Sequence, residues 1–386
     1  MRKVVVLVAP HSPDEPALNL GAAKKIELVA SLLSQLGFDV HYVDSAHPPG
    51  RFRPALMGQR ATLGKTAVTL WRPFCVPSRK LGKMLNIFTS QGLFRALARL
   101  KPQLVWVYNP YAFEARLGLF LQRAAGSKLV MELEDLPTAR GRGFNPKPLL
   151  DQHYFKPLLA RSNMVTFVNA VLLRRFTGVV QRALLFPSIL QNALVAMPQH
   201  TRFAGTQRRL GYFGGLETDK GVGILLNLPP MLPPDWKLVV TGVGSLTPEL
   251  QAAQARYPDQ LEFHGAVSHD SVLAFMQGCD AIVNPHAPIT HMDDGVFPFK
   301  VCEAIASGAL LISTALPSID IDLSRSVLYF DGSAQGLADA VRDAAAHYAQ
   351  RHDEINQVRQ QVCAQYGEQT VLTQFRQAVD GLLGAH

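Results

Sequence analysis

Residues 284–308, NPHAPITHMDDGVFPFKVCEAIASG, hold the residue types of this chain best suited to chemistry. Asn284 and Pro285 close the apolar run CDAIV, and a polar turn with Asp293, Asp294 and Gly295 follows. Pro298 suits the first turn of a helix, where its missing N–H would have no intrahelical partner, and Ala304, Ile305 and Ala306 carry that helix to a stop at Gly308. The segment therefore reads as strand, loop, helix. Lys300 and Glu303, three apart, share a face near the helix end where free N–H groups and the helix dipole favour an anion. Lys300 suits a phosphate, and Glu303 suits neutral hydroxyls as an acceptor. A ribose joined to a diphosphate offers both. The bland alternative is an ordinary Lys–Glu pair on a solvated helix.

The elements that must position these residues lie upstream. LGYFGGLETDKGVGILLNL reads as a short apolar strand into Gly214–Gly215, with Lys220–Gly221 opening an amphipathic helix. WKLVVTGVGS is a strand into Gly242 and Gly244, and LEFHGAVSHDSVLAFMQGCDAIVNP is a strand ending at His264, a turn, a helix and another strand. Each strand meets a glycine or a polar loop at its carboxyl end, where open α/β sheets bind ligands. In order and spacing, G-[YF]-x-G…K-G, G-x-G, E-F-x-G-x-V and P-x-K-x-x-E-A-x-A-S-G over roughly residues 210–315 resemble the nucleotide-sugar domain of GT-B glycosyltransferases, most closely family 4.

That resemblance implies two Rossmann-like domains facing across a cleft, with the donor in the second and a last helix crossing back to the first. It implies a UDP- or GDP-linked sugar as donor, no cofactor, and no metal, the leaving diphosphate being neutralised by lysines and helix dipoles. Lys220 is the catalytic cation so implied; Lys300, which many family members lack, is read as a second one that partly replaces the missing Arg. Gly214, Gly215, Lys220, Gly242, Gly244, His264, Asp294, Gly295, Val296, Phe297, Lys300 and Glu303 are the donor contacts. The chain departs from the family at several places. Gly215 stands where an Arg is common; Gly295 stands where the first of two glutamates eight apart belongs, with Asp294 beside it; and Glu134 stands for the His of a His-Asp pair whose Asp is matched by Asp135.

The first half begins with KVVVLVAP, a buried strand, followed by the loop HSPDEPALNLG and a helix with Ile26, Val29, Ala30, Leu33 and Leu36 at helical spacing up to Gly37. In place of the family's Gly-Gly pair this loop offers Pro13, Asp14, Glu15 and Pro16. Residues 45–90 are too interrupted for a clear pattern and read as an irregular insertion with rim helices. QLVWVYNPY and SKLVMELEDLP are strands, the second bringing Glu132, Glu134 and Asp135 to its carboxyl end. Glu134 or Asp135 there could take a proton from an acceptor hydroxyl. The alternative is that they only pair with Arg140, Arg142 or another basic residue of the same domain. The divisions are then 1–190 for the acceptor domain, 191–207 for the linker, 208–365 for the nucleotide-sugar domain and 366–386 for the crossover helix, whose stripe is Val371, Leu372, Phe375, Val379 and Leu382.

Charge is unevenly spread. Residues 1–190 carry 26 Lys and Arg against 10 Asp and Glu, while the remainder carries 12 against 20, so a net +8 conceals +16 and −8. From Ser45 to Phe113 there is no acid, but Arg51, Arg53, Arg60, Lys65, Arg72, Arg79, Lys80, Lys83, Arg95, Arg99 and Lys101 alternate with Phe52, Trp71, Phe74, Phe88 and Phe94. Such a mixture favours an anionic membrane surface over nucleic acid. Cys75, Cys279, Cys302 and Cys363 are scattered without metal or disulfide spacing, no apolar run is long enough to span a bilayer, and no P-loop or H-E-x-x-H motif occurs. The expectation is a cytoplasmic enzyme, peripheral at the inner face of the membrane, that builds a bacterial surface glycan on a lipid-linked acceptor. The competing expectations are a nucleotide-sugar epimerase of the same shape and a non-catalytic scaffold with a decayed donor site.

Overall fold

The computed structural model describes residues 3–14, 20–47, 50–136, 146–197, 202–286, 299–315 and 321–384. Two units form, the first from Met1–Pro187 with Leu372–His386, the second from Ser188–Met292 with Phe297–Val371. Among the described residues the first unit contains β1 (Lys3–Ala9), α1 (Leu20–Gln35), β2 (Phe38–Asp44), β3 (Leu56–Leu63), β4 (Thr66–Arg72), α2 (Arg79–Thr89), α3 (Gln91–Arg99), β5 (Leu104–Tyr108), α4 (Ala112–Ala125), β6 (Lys128–Leu133), α5 (Pro146–Arg161), β7 (Met164–Phe167), α6 (Ala170–Phe176) and β8 (Ala183–Leu185). Its sheet runs β3-β4-β2-β1-β5-β6-β7-β8, parallel throughout except for β3 against β4. Strand β1 lies between β2 and β5, pairing Val5 with Val40 and with Leu104, and Val5–Ala9 are fully buried, as a helix-covered parallel strand requires.

The second unit contains α7 (Asn192–Val195), β9 (Arg208–Phe213), β10 (Trp236–Thr241), α8 (Thr247–Arg256), β11 (Leu261–Phe263), α9 (His269–Gly278), β12 (Ala281–Asn284), α10 (Phe299–Ala306), β13 (Leu310–Ser313), β14 (Val327–Tyr329) and α11 (Ala334–Tyr366), which kinks at Arg351. Its parallel sheet runs β11-β10-β9-β12-β13-β14, so the order reverses between β9 and β12. In the first unit the reversal lies between β1 and β5. Crevices at these reversals, at the carboxyl ends of the strands, are where such sheets take ligands. Each unit is thus an α/β unit with a doubly wound sheet, as expected.

Helix α12 (Glu368–Leu383) completes the first unit through Leu372–His386. Phe375 is buried between Trp106 of β5, at 5.3 Å between ring centroids, and Phe186, at 5.4 Å. The stripe read from the sequence is the buried face of this helix, with Leu372 at its half-buried edge. Two other expectations need correction. Lys220–Gly221 opens no amphipathic α-helix; the chain makes 3-10 turns at Thr218–Lys220 and Val222–Leu226, because Gly221 takes φ +73° between them. Val222 and Leu225 still fill the core. Residues 45–90 are also more regular than expected, since β3 and β4 form an antiparallel hairpin and Ser78 caps α2 by accepting from Leu81 N at 3.4 Å.

Candidate functional site

In the second unit, β9 leaves the sheet at Gly214 and β12 leaves it at Asn284, either side of the reversal point. Lys300, in the first turn of α10, places its Nζ 4.8 Å from the centroid of the Tyr212 ring. Tyr212 is anchored by donating its hydroxyl hydrogen to Gly215 O at 2.7 Å. Burial, followed by repulsion from Lys220, lowers Lys300 to about 8. The two lysines expected on the leaving diphosphate therefore share one electrostatic neighbourhood. Lys220 also pairs with Asp219, Nζ to Oδ2 at 3.5 Å. Glu303 follows Lys300 by one helical turn on α10 and is half-buried, and Gly308 ends the segment at φ +79° as the sequence requires.

The glycines divide by role. A Cβ on Gly242 would meet Gly214 O at 1.9 Å, and one on Gly244 would meet Leu216 O at 2.4 Å. Those two residues are required so that the loops after β9 and β10 can pack backbone on backbone, through Leu216 N to Val243 O at 3.0 Å and Leu246 N to Leu216 O at 3.0 Å. Gly215 is different, since a Cβ there meets nothing within 4 Å. The position that lacks the family's Arg is open space. His264 packs its ring 4.6 Å from that of Phe275 and lies 3.5 Å from Glu262, which also takes Arg209 at 2.6 Å and Lys237 at 3.1 Å. Its surroundings are thus accounted for by an ion-pair network at the end of β11. Asp294, Gly295, Val296 and Phe297 lie outside the described residues, as do Arg140 and Arg142. Among the described residues, no three His, Cys, Asp or Glu side chains gather as a metal site would need.

In the first unit the end of β6 is tied to α1. Lys25, whose side chain is buried, lies 3.5 Å from Glu132 Oε1 and 3.4 Å from Glu134 Oε1, and donates to Phe186 O and, at 2.7 Å, to Pro187 O. Glu132 also accepts from Trp106 Nε1 at 2.7 Å. Burial pushes Glu134 up to about 8 despite Lys25, with Glu132 and Asp135 adding to the rise, so it holds a proton at neutral pH. Asn109, at φ +61° after β5, accepts from the backbone N–H groups of Glu134 at 2.9 Å and Asp135 at 3.0 Å, and its amide donates to Asp135 at 3.4 Å. Asp135 is exposed. Sequence reasoning left Lys25 out because it occupies the face of α1 that also carries Val29 and Leu33, where the pattern reads as packing alone.

Residues 207–347 match the family described as Glycosyl transferases group 1. The motif resemblance drawn from the sequence therefore holds for the second unit. No curated protein sequence matches the chain significantly. Among solved structures, sucrose-phosphate synthase from Thermosynechococcus elongatus is similar over 100% of both chains with a TM-score of 0.70 at 14% identity. A glycosyltransferase from Rickettsia africae is similar over 100% of both chains with a TM-score of 0.70 at 11% identity. Anabaena HepE in complex with UDP is similar over 98% of this chain and 100% of its own, with a TM-score of 0.63 at 13% identity. At such identities the likeness is one of fold, that of the two-unit GT-B glycosyltransferases.

Proposed function

We propose that the chain transfers a sugar from a nucleotide-diphosphate donor, bound by the second unit, to a hydroxyl of a lipid-linked or surface-polysaccharide intermediate bound by the first. The observation that carries this reading is Lys300, seated over the Tyr212 ring beside the exit of β9 and within the field of Lys220, in a segment that matches a glycosyltransferase family. In the reaction, the acceptor oxygen bonds to the sugar's anomeric carbon while the bond from that carbon to the diphosphate breaks. The two ammonium groups stabilise the charge left on the diphosphate without a divalent ion, and they act most strongly as that charge grows. Glu303 accepts the ribose hydroxyls, and the N–H groups of Gly295 to Phe297, with Asp294, are assigned to the phosphate and donor sugar. Asp135, held by Asn109, takes the acceptor proton; Glu134 carries a proton of its own.

Thermal shift with UDP and GDP tests the donor site directly. Glu303→Ala should weaken the nucleotide that binds by about 1.5 to 3 kcal/mol, the range for charge-assisted hydrogen bonds. No shift with either nucleotide returns the chain to the scaffold reading. An unchanged affinity in folded Glu303→Ala makes that residue part of an ordinary helix surface.

An anionic membrane surface as the site of the acceptor is supported by α2. Leu81 and Phe88, seven apart and so on one face, are 55% and 57% exposed, with half-buried Met84 and Leu85 between them. Phe52 and Met57 of the same acid-free stretch are exposed as well. The other aromatics of that stretch behave differently. Trp71 and Phe94 are core residues, Phe94 packing against Phe113 and Phe120. No described helix is long and apolar enough to cross a membrane. A peripheral position at the inner face of the membrane is the corresponding proposal.

A further inference from the structure

Arg53 and Arg72 belong by sequence to the acid-free basic stretch read as facing a membrane, but the structure takes them inward. Their side chains are 12% and 10% exposed. Arg72, the last residue of β4, donates Nε to Asp44 Oδ2 at 3.0 Å, and Asp44, the last residue of β2, is wholly buried. Arg53 lies 3.7 Å from the same oxygen and donates to Ser12 Oγ at 3.2 Å. Its backbone is pinned to Cys75 by two hydrogen bonds, at 3.0 and 2.8 Å. Two guanidinium groups thus face one buried carboxylate at the carboxyl ends of β1, β2 and β4. Among the described residues, they share Asp14, in the loop after β1, on the solvent side. Its Oδ2 accepts from Arg72 Nη2 at 2.5 Å and lies 3.9 Å from Arg53 Nη2, while its side chain is 52% exposed.

We propose that Arg53 and Arg72 form a binding subsite for a phosphate or carboxylate group carried by the acceptor, a subsite that the chain's own Asp14 fills when the acceptor is absent. The proposal rests on the reading of the first unit as the acceptor side. Asp44 neutralises one of the two cations and stays in place because it has no route to water. The second cation keeps its exposed partner, and an incoming oxyanion can replace Asp14 without leaving any buried charge unpaired. Arg72 Nη2 and Arg53 Nη2, both turned toward Asp14, also suit a group with several oxygens better than a single carboxylate, since each can meet a different oxygen. The Pro13-Asp14 sequence, which departs from the family pattern, acquires a purpose as a built-in competitor. Acceptors bearing an anionic group near the reacting hydroxyl are then favoured over neutral sugars, which cannot displace Asp14.

Inorganic pyrophosphate, titrated calorimetrically into the full chain with and without saturating UDP, tests the subsite apart from the donor site. Asp14→Asn should bind pyrophosphate at least tenfold more tightly than the wild type, and adding Arg53→Gln should abolish that gain, with folding of both variants checked by thermal melting. Arg53→Gln is used rather than an Arg72 variant because Arg72 holds buried Asp44. Competition then identifies the source of the anion. Displacement of pyrophosphate from Asp14→Asn by a soluble hexose phosphate points to a sugar-phosphate acceptor, and displacement by a short-chain prenyl phosphate points to a lipid-linked one. Equal pyrophosphate binding by wild type and Asp14→Asn overturns the proposal, as does failure of both competitors. Loss of UDP binding with the pyrophosphate result intact overturns the glycosyl-transfer reading and spares the subsite.

Discussion

At Glu134, burial makes a carboxylate into a proton carrier, and this has a consequence for stability. Its folded value of about 8 lies above its ordinary 4.5, so between those limits the folded state holds a proton that the unfolded state has released. Stability from this group is fully present below about pH 4.5 and falls as pH rises to about 8, by at most about 1.4 kcal/mol per pH unit. Glu134→Gln should flatten that slope in denaturant titrations run from pH 5 to 8. Because Glu132 shifts in the same direction, the slope shrinks rather than vanishes. An unaltered slope would place the buried proton elsewhere. Lys300 supplies the opposite case in the second unit. Lowered to about 8 in the free protein, it is charged beside a diphosphate and loses part of that charge as pH rises. UDP affinity should therefore decline as pH rises through about 8, with proton uptake measurable calorimetrically in buffers of different ionisation enthalpy. Lys300→Met should bind UDP more weakly and without that pH dependence. A variant with the wild-type profile would assign the titration to another group.

Among the elements, those with strong periodicity were legible. The β-branched run of β1, the stripe of α12, and the strand, glycine and helix order from β9 to α10 each follow from local residue chemistry. The hairpin of β3 and β4 was missed although its signal was present, in the runs RATL and TAVTL on either side of Gly64-Lys65, because exposed polar residues on β3 hide the alternation. The turns after β9 were misread because buried Val222 and Leu225 follow a helical interval that 3-10 geometry also satisfies. Of the proposed site, what was legible is the placement of Lys300 and Glu303 three apart on one helix, because helical spacing is a local pattern. The site was not legible where partners come from distant segments, as with Lys25 and Glu134 or Arg72 and Asp14, since no local pattern records a contact made by folding. Helix α12 also yields a measurement. Phe375→Ala leaves a cavity between Trp106 and Phe186 and should destabilise the first unit by about 3 to 5 kcal/mol, read by chemical denaturation. Nucleotide affinity in the second unit should stay within twofold of the wild type. A cost below about 1 kcal/mol would show that the helix is not needed to close that core.

For the whole molecule, the asymmetry between a first half at +16 and a remainder at −8 orients the chain in any electric field that it meets. The basic residues left on the surface, combined with Leu81 and Phe88, should hold the protein on anionic vesicles at low salt and release much of it at high salt, since screening confines the attraction to about 8 Å at physiological ionic strength. Reversing the charges of Arg79, Lys80 and Lys83 should reduce sedimentation with such vesicles, and Leu81→Ser with Phe88→Ser should remove the salt-resistant part. If neutral and anionic vesicles retain the wild type equally, the membrane assignment falls. The return of α12 has a further consequence, for the order of events at the ribosome. Trp106 and Phe186 emerge early, yet the Phe375 ring that covers them follows only after all of Ser188–Val371 has been made, a delay of roughly 10 to 40 s at about 5 to 20 residues per second. During that interval the first unit is an incomplete core with aromatic surface open to chaperones, and the second unit has time to fold before the first is closed.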